Sequence, residues 1–171
     1  MKRLTLLRHA KSSWNDARQT DHDRPLSGRG ERDAPRIGAR LRARKARPTL
    51  ILTSPAKRAI ETAKIIANAL DYPREFLQAE SNLYHADAVS LLEIVAAQED
   101  HFSDLMVVAH NPGLTMLTNR LLPDFGLDNL PTSGVIAIDF DTDQWSNLAR
   151  LGGKLAYYDY PKNPQVILDS T

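Results

Sequence analysis

The sequence contains no cysteine. Disulfides, thiolate catalysis and cysteine-based zinc sites are therefore excluded. It also has no apolar run near the roughly 18 residues that a membrane span requires. The opening Met1 to Leu7 is basic and then briefly apolar, but Arg8 and His9 cut it short of a secretory core. The expectation is a cytoplasmic protein with no membrane partner. No glycine-rich phosphate loop occurs, which excludes nucleotide handling of the P-loop kind. Internal repeats, low-complexity tracts and Gly/Ser linkers are missing as well. What remains is ordinary globular composition: 171 residues, 42% apolar and 25% charged. That suits one domain spanning 1–171, and a monomer is the default expectation.

Net charge is +1, yet its distribution is uneven. Residues 1–74 hold 18 Lys/Arg against 7 Asp/Glu, and residues 75–171 hold 4 against 14. A basic half suggests an anionic partner, and two solvated faces of opposite sign are the plain alternative.

Short apolar runs alternate with helical spacing. Strands are expected at Leu4–Leu7, Leu50–Leu52, Phe76–Ala79, Leu105–Ala109 and Gly134–Phe140, with edge structure at 149–151 and 155–160. Helices are expected from Gly30 to Ala46, from Ser54-Pro55 (capping serine, then proline) to about Leu70, from Asp87 to Gln98, and from Pro112 onward. The last ten residues look loosely held. The alternation predicts an α/β domain, a three-layer α/β/α sandwich with a mostly parallel central sheet. Such sheets bind ligands beyond the carboxyl ends of their strands.

Three of these strands run into chemically capable residues: Arg8-His9, Ser54 to Arg58, and His110-Asn111. Two histidines and two arginines would converge on one crevice. Arginine binds phosphate oxygens bidentately and keeps its charge. Histidine can accept a phosphoryl group as nucleophile, and a second can stabilise developing charge. A metal centre at Asp21-His22-Asp23 is the competing reading, but the neighbouring arginines would repel a cation. His22, His85 and His101 lie in polar stretches and read as surface residues. The arginines of helix 30–46 could follow a nucleic-acid backbone. No aromatic residue interleaves, so a solvated face is expected and no nucleic-acid partner.

Four ordered blocks resemble the histidine phosphatase superfamily, also called phosphoglycerate-mutase-like. They are Arg8-His9-Ala10-Lys11, Arg24-Pro25-Leu26-Ser27-Gly28-Arg29-Gly30, Ser54-Pro55-Ala56-Lys57-Arg58 with Glu61-Thr62-Ala63, and Val107-Val108-Ala109-His110. The short chain is most similar to the small phosphohistidine phosphatase branch, the SixA-like proteins. The resemblance implies a phosphoglycerate-mutase-like fold and a phosphatase working through phosphohistidine. It implies His9 as nucleophile, Arg8 and Arg58 as the phosphoryl clamp, His110 completing the pocket, and Arg24 and Asn15 as further phosphate ligands. It implies no cofactor and no metal, with a phosphorylated protein or small phosphorylated molecule as partner. Ala10 replaces the family's usual glycine, which is tolerable where φ is negative.

Larger members carry a glutamate as proton donor, and here Glu80, His85 and Asp87 are nearby without matching it. An imidazole leaving group is far less basic than an alkoxide, so P–N cleavage tolerates a weak acid. Phosphohistidine on a protein is thus the expected substrate. A broad phosphomonoesterase, a mutase and a non-catalytic phosphoprotein-binding module are the alternatives.

Overall fold

The computed structural model describes residues 1–164. Most of the ten C-terminal residues expected to be loosely held lie outside the described residues. Six strands form one sheet: β1 (Lys2–Arg8), β2 (Leu50–Thr53), β3 (Gln78–Ala79), β4 (Asp104–Ala109), β5 (Val135–Phe140) and β6 (Lys154–Asp159). Their order is β3-β2-β4-β1-β5-β6. The β3-β2, β2-β4 and β4-β1 pairings are parallel, while β5 and β6 join antiparallel. The mostly parallel α/β expectation holds, with an antiparallel edge.

Alternating side chains divide the core between the two faces of the sheet, as strand periodicity requires. Leu4, Leu6, Leu50, Leu52, Leu105 and Val107 face helices α3 (Ala88–Ala96) and α4 (Gly113–Leu121). Leu7, Ile51, Met106 and Val108 face α1 (Gly28–Ala43) and α2 (Lys57–Ala69). Each buried leucine or isoleucine stabilises the fold by about 1.5–3 kcal/mol relative to exposure.

Several boundaries differ from the sequence reading for identifiable reasons. Helix α1 starts two residues earlier than expected, because the Ser27 hydroxyl accepts the Gly30 N–H and caps it. It also ends earlier, at Ala43, and Lys45 takes a left-handed φ of 61°. Helix α2 begins at Lys57, not at the Ser54-Pro55 pair. Strand β3 keeps only two residues, since Arg74–Phe76 forms a 3₁₀ turn. Residues 149–151 add no strand.

The charge asymmetry is partly internal. Arg3 pairs with Asp139 at 2.8 Å, and Arg40 reaches the buried Asp159 at 3.1 Å. Arg40 also donates to the carbonyls of Tyr160 and Pro161. The basic helix is therefore not wholly a solvated face: Arg40 stitches α1 to the end of the acidic half.

Candidate active site

The strand order places β2, β4 and β1 side by side, so the three loops leaving their carboxyl ends meet. Backbone bonds fix those loops. His9 N–H donates to Ala109 at 3.1 Å, and Ser54 N–H to Val108 at 2.9 Å. The Ala10 N–H donates to Thr62 Oγ1 of α2 at 2.9 Å, and that hydroxyl donates to Arg58 O at 2.7 Å. Thr62 thereby locks the His9 loop to the helix that carries Arg58. Gly30 allows the first turn of α1 to lie against this loop, since a Cβ there would stand 2.1 Å from Lys11 O. Ala10 has no positive φ, and its methyl group packs with Leu26 and Ala34.

A cavity of about 260 Å³ opens at this point, lined by Arg8, His9, Arg24, Arg58, His85 and His110 among others. All four residues of the expected pocket and Arg24 are brought together. Asn15 is exposed and is not among the residues that line the cavity. A larger cavity of about 300 Å³ lies at the opposite end of the strands, around Thr49 and Phe76. No arginine or histidine lines it.

His9 is 7% exposed. Its Nδ1 lies 2.8 Å from the carbonyl of Ala10. A carbonyl only accepts, so Nδ1 carries the hydrogen and Nε2 keeps its lone pair. Arg58 Nε sits 3.4 Å from that Nε2. Burial, assisted by the nearby Arg58, Arg8 and Arg24 charges, lowers the His9 pKa to about 4 despite the Ala10 bond. His110 is lowered to about 3, by burial first and then by His9 and Arg58. Both rings are neutral at pH 7. His110 Nε2 lies 2.7 Å from Ser54 Oγ, which also accepts the Ala56 N–H. The serine expected to cap α2 instead orients a histidine.

Arg8 donates to Leu130 O at 3.0 Å, while its Nε is buried without a partner among the described residues. Arg24 reaches the site because its segment folds back over the loop after β1 through a Ser12–Leu26 bridge. Its guanidinium bonds Ser12 Oγ and stacks 3.3 Å from the ring centroid of Trp14, itself 71% exposed.

Asp21 is the main site residue to which the sequence reading gives no role. It enters there only within the rejected Asp21-His22-Asp23 metal reading, whereas its carboxylate bridges Arg24 (3.1 Å) and Arg58 (3.1 Å) and accepts the Tyr84 hydroxyl at 2.6 Å. The Tyr84 bond, with Arg58 and Arg24 beside it, holds its pKa down at about 2. Among the described residues, no group of three or more His, Cys, Asp or Glu is placed to hold a metal ion. The available signal was its position three residues before Arg24. Asp21→Asn should cost about tenfold in kcat/KM, because both guanidiniums lose their orienting anion. Steady-state kinetics checks this, and a variant as active as wild type would contradict it. His85 is exposed, as expected, with its side chain 64% accessible, and it also borders the cavity.

The histidine phosphatase superfamily (branch 1) model matches residues 4–81. An uncharacterized protein of Mycobacterium tuberculosis is 33% identical over 141 residues, covering 77% of this chain and 85% of that one. The chain belongs to the histidine phosphatase superfamily. It is a phosphatase by that membership. An uncharacterized chloroplastic protein of Arabidopsis thaliana is 49% identical over 70 residues, and this chain spans only 32% of its length. Among solved structures, an Agrobacterium tumefaciens protein assigned as phosphohistidine phosphatase SixA superposes with a TM-score of 0.81 at 27% identity. That match covers 94% of this chain and 98% of the other. None of the helices in the described residues is long and apolar enough to cross a membrane.

Proposed function

We propose that this phosphatase transfers the phosphoryl group of phosphohistidine on a protein to His9 and then to water. One observation carries the choice of substrate: among the described residues, no acidic side chain lines the cavity. An alkoxide leaving group needs a strong acid held against it, whereas an imidazole leaves with a far weaker one. The cavity is small, with room for a phosphoryl group and its immediate attachment. The rest of a protein substrate would stay outside, against the exposed Trp14.

In this scheme the neutral His9 Nε2 attacks phosphorus in line. Arg8, Arg24 and Arg58 hold the non-bridging oxygens, Arg8 through its unpartnered Nε, and His110 faces the same group. The arginines supply the positive charge that a metal provides elsewhere. Water then hydrolyses the phospho-His9 intermediate.

The test is a panel of phosphohistidine protein, phosphohistidine peptide and small phosphate esters, compared by kcat/KM. The phosphohistidine substrates should be preferred by at least about 10²-fold, because no carboxylic acid lines the cavity to protonate an alkoxide. Activity should be unchanged in excess chelator. Equal hydrolysis of simple alkyl phosphates would favour the broad phosphomonoesterase instead, and loss of activity in chelator would overturn the metal-free scheme.

A further inference from the structure

Breaking the bond to phosphorus leaves an electron pair on the departing atom, and a proton must reach it. Of the three acids near the end of β3, two are committed to local structure. Glu80 accepts the Asn82 N–H at 3.2 Å, and Asp87 accepts the Ser90 N–H at 2.8 Å as the cap of α3. Neither lines the cavity. Asp21 is also unsuitable. Its carboxylate, bridging two arginines, stays ionised and has no proton to give. The Tyr84 hydroxyl is spent on Asp21.

His85 is different in each respect. Its ring lines the cavity, lies 4.0 Å from the ring of Tyr84 at a tilt of 46°, and lies 6.1 Å from that of His110. His110 is in turn 5.1 Å from His9, so it neighbours both. His85 Nε2 stands 3.7 Å from Asp21 Oδ2, within ion-pair reach of the carboxylate that orients the arginines. The backbone here is left-handed, with φ 58°. For a residue with a Cβ that conformation costs about 1 kcal/mol or more and needs support from its surroundings. The support is visible next door. The Ala86 carbonyl packs so closely on Gly113 that a Cβ there would lie 2.1 Å away. Helix α4 therefore clamps the turn that presents His85.

Resting on the phosphatase reading above, we propose that His85 is the general acid–base of this site. In the first step His9 Nε2 forms its bond to phosphorus while the P–N bond to the substrate ring breaks. The electron pair stays on the substrate ring, His85 gives that ring its proton, and a neutral imidazole departs. In the second step water attacks phosphorus and the bond to His9 breaks, its electron pair returning to Nε2. One water proton goes to His85, and phosphate leaves as the monohydrogen dianion. His85 ends as the imidazolium with which it began. Imidazole suits this exchange because it gives and takes protons near neutrality.

The experiment compares the rate of the first step on two substrates, read as the pre-steady-state burst. One is a phosphohistidine peptide. The other is 2,4-dinitrophenyl phosphate, whose leaving group departs without a proton. The variant is His85→Asn, since asparagine tolerates left-handed backbone best among residues with a Cβ. The burst on the peptide should slow about 10²-fold, and on the dinitrophenyl ester less than threefold. His85→Gly with added imidazole should recover at least tenfold of the lost rate on the peptide. The unimpaired ester burst itself shows that the variant is folded. An unchanged peptide burst, equal losses on both substrates, or no rescue by imidazole would each overturn the assignment. If the wild-type enzyme ignores the peptide, the phosphohistidine reading falls. The same comparison with an alkyl phosphate then decides the role of His85 separately.

Discussion

Replacing His9 with alanine is expected to abolish turnover, by on the order of 10⁵-fold or more, while the protein stays folded. The loss should be near total because His9 Nε2 is the only protein atom in the scheme that bonds to phosphorus. Stability should change little, since the ring makes two side-chain hydrogen bonds, one to the adjacent Ala10 carbonyl and a long one from Arg58 Nε, and borders an open cavity. Trapping labelled phosphoenzyme in the wild type, and none in the variant, completes the result. A variant retaining more than about a thousandth of the activity would remove His9 from the chemistry.

The same residue sets the acid side of the pH profile. His9 must be neutral to attack, and burial holds its pKa at about 4. Activity limited by this group is therefore full above pH 5 and falls as pH drops through about 4. An ordinary histidine would lose activity two units higher. The stability linkage has the same direction. A histidine whose pKa is depressed on folding takes up its proton more readily when unfolded. Stability contributed by the neutral ring is thus complete above about pH 6.5 and is lost as pH falls toward 4.

Much of this site was legible in the sequence because strand ends are. An apolar run that stops on Arg8-His9 or His110 announces both the strand and the polar rim, and parallel order then brings the ends together. The failures share a different cause. Asp21, Tyr84 and His85 sit in loops and short turns, where spacing carries little geometry: Asp21 meets Arg24 three residues on, but only tertiary folding brings it to Arg58 and Tyr84. Asn15 shows the reverse case: motif position implies a ligand, while its loop holds it in solvent outside the residues lining the cavity. Ser54 shows a local rule overridden. Its Ser-Pro pair reads as a helix cap, yet the hydroxyl is claimed by His110, and α2 starts three residues later. Arg40 shows the limit of charge counting, since its partner Asp159 lies 119 residues away in the chain.

Arg58→Lys should be damaging in its own right, lowering kcat/KM by about 10³-fold. The reason is geometric, since both residues carry one positive charge. Arg58 is 5% exposed and places three nitrogens on separate tasks. Nε approaches His9 Nε2 at 3.4 Å, Nη1 donates to Asp21 O at 2.6 Å, and Nη2 meets both Asp21 Oδ2 at 3.1 Å and His110 Nδ1 at 3.4 Å. A lysine ammonium is a single point on a flexible stem and cannot span this set. Arg58→Ala should add a second signature. Burial is the larger reason for the low His9 pKa, and the Arg58 charge is the next that lowers it. Removing that charge should move the acid limb of the pH profile upward from about 4, even as the rate falls. Arg58→Lys keeps the charge and should leave the limb near its place. A lysine variant within tenfold of wild type would mean that charge alone suffices. A limb unmoved in Arg58→Ala would mean that burial by itself keeps His9 neutral.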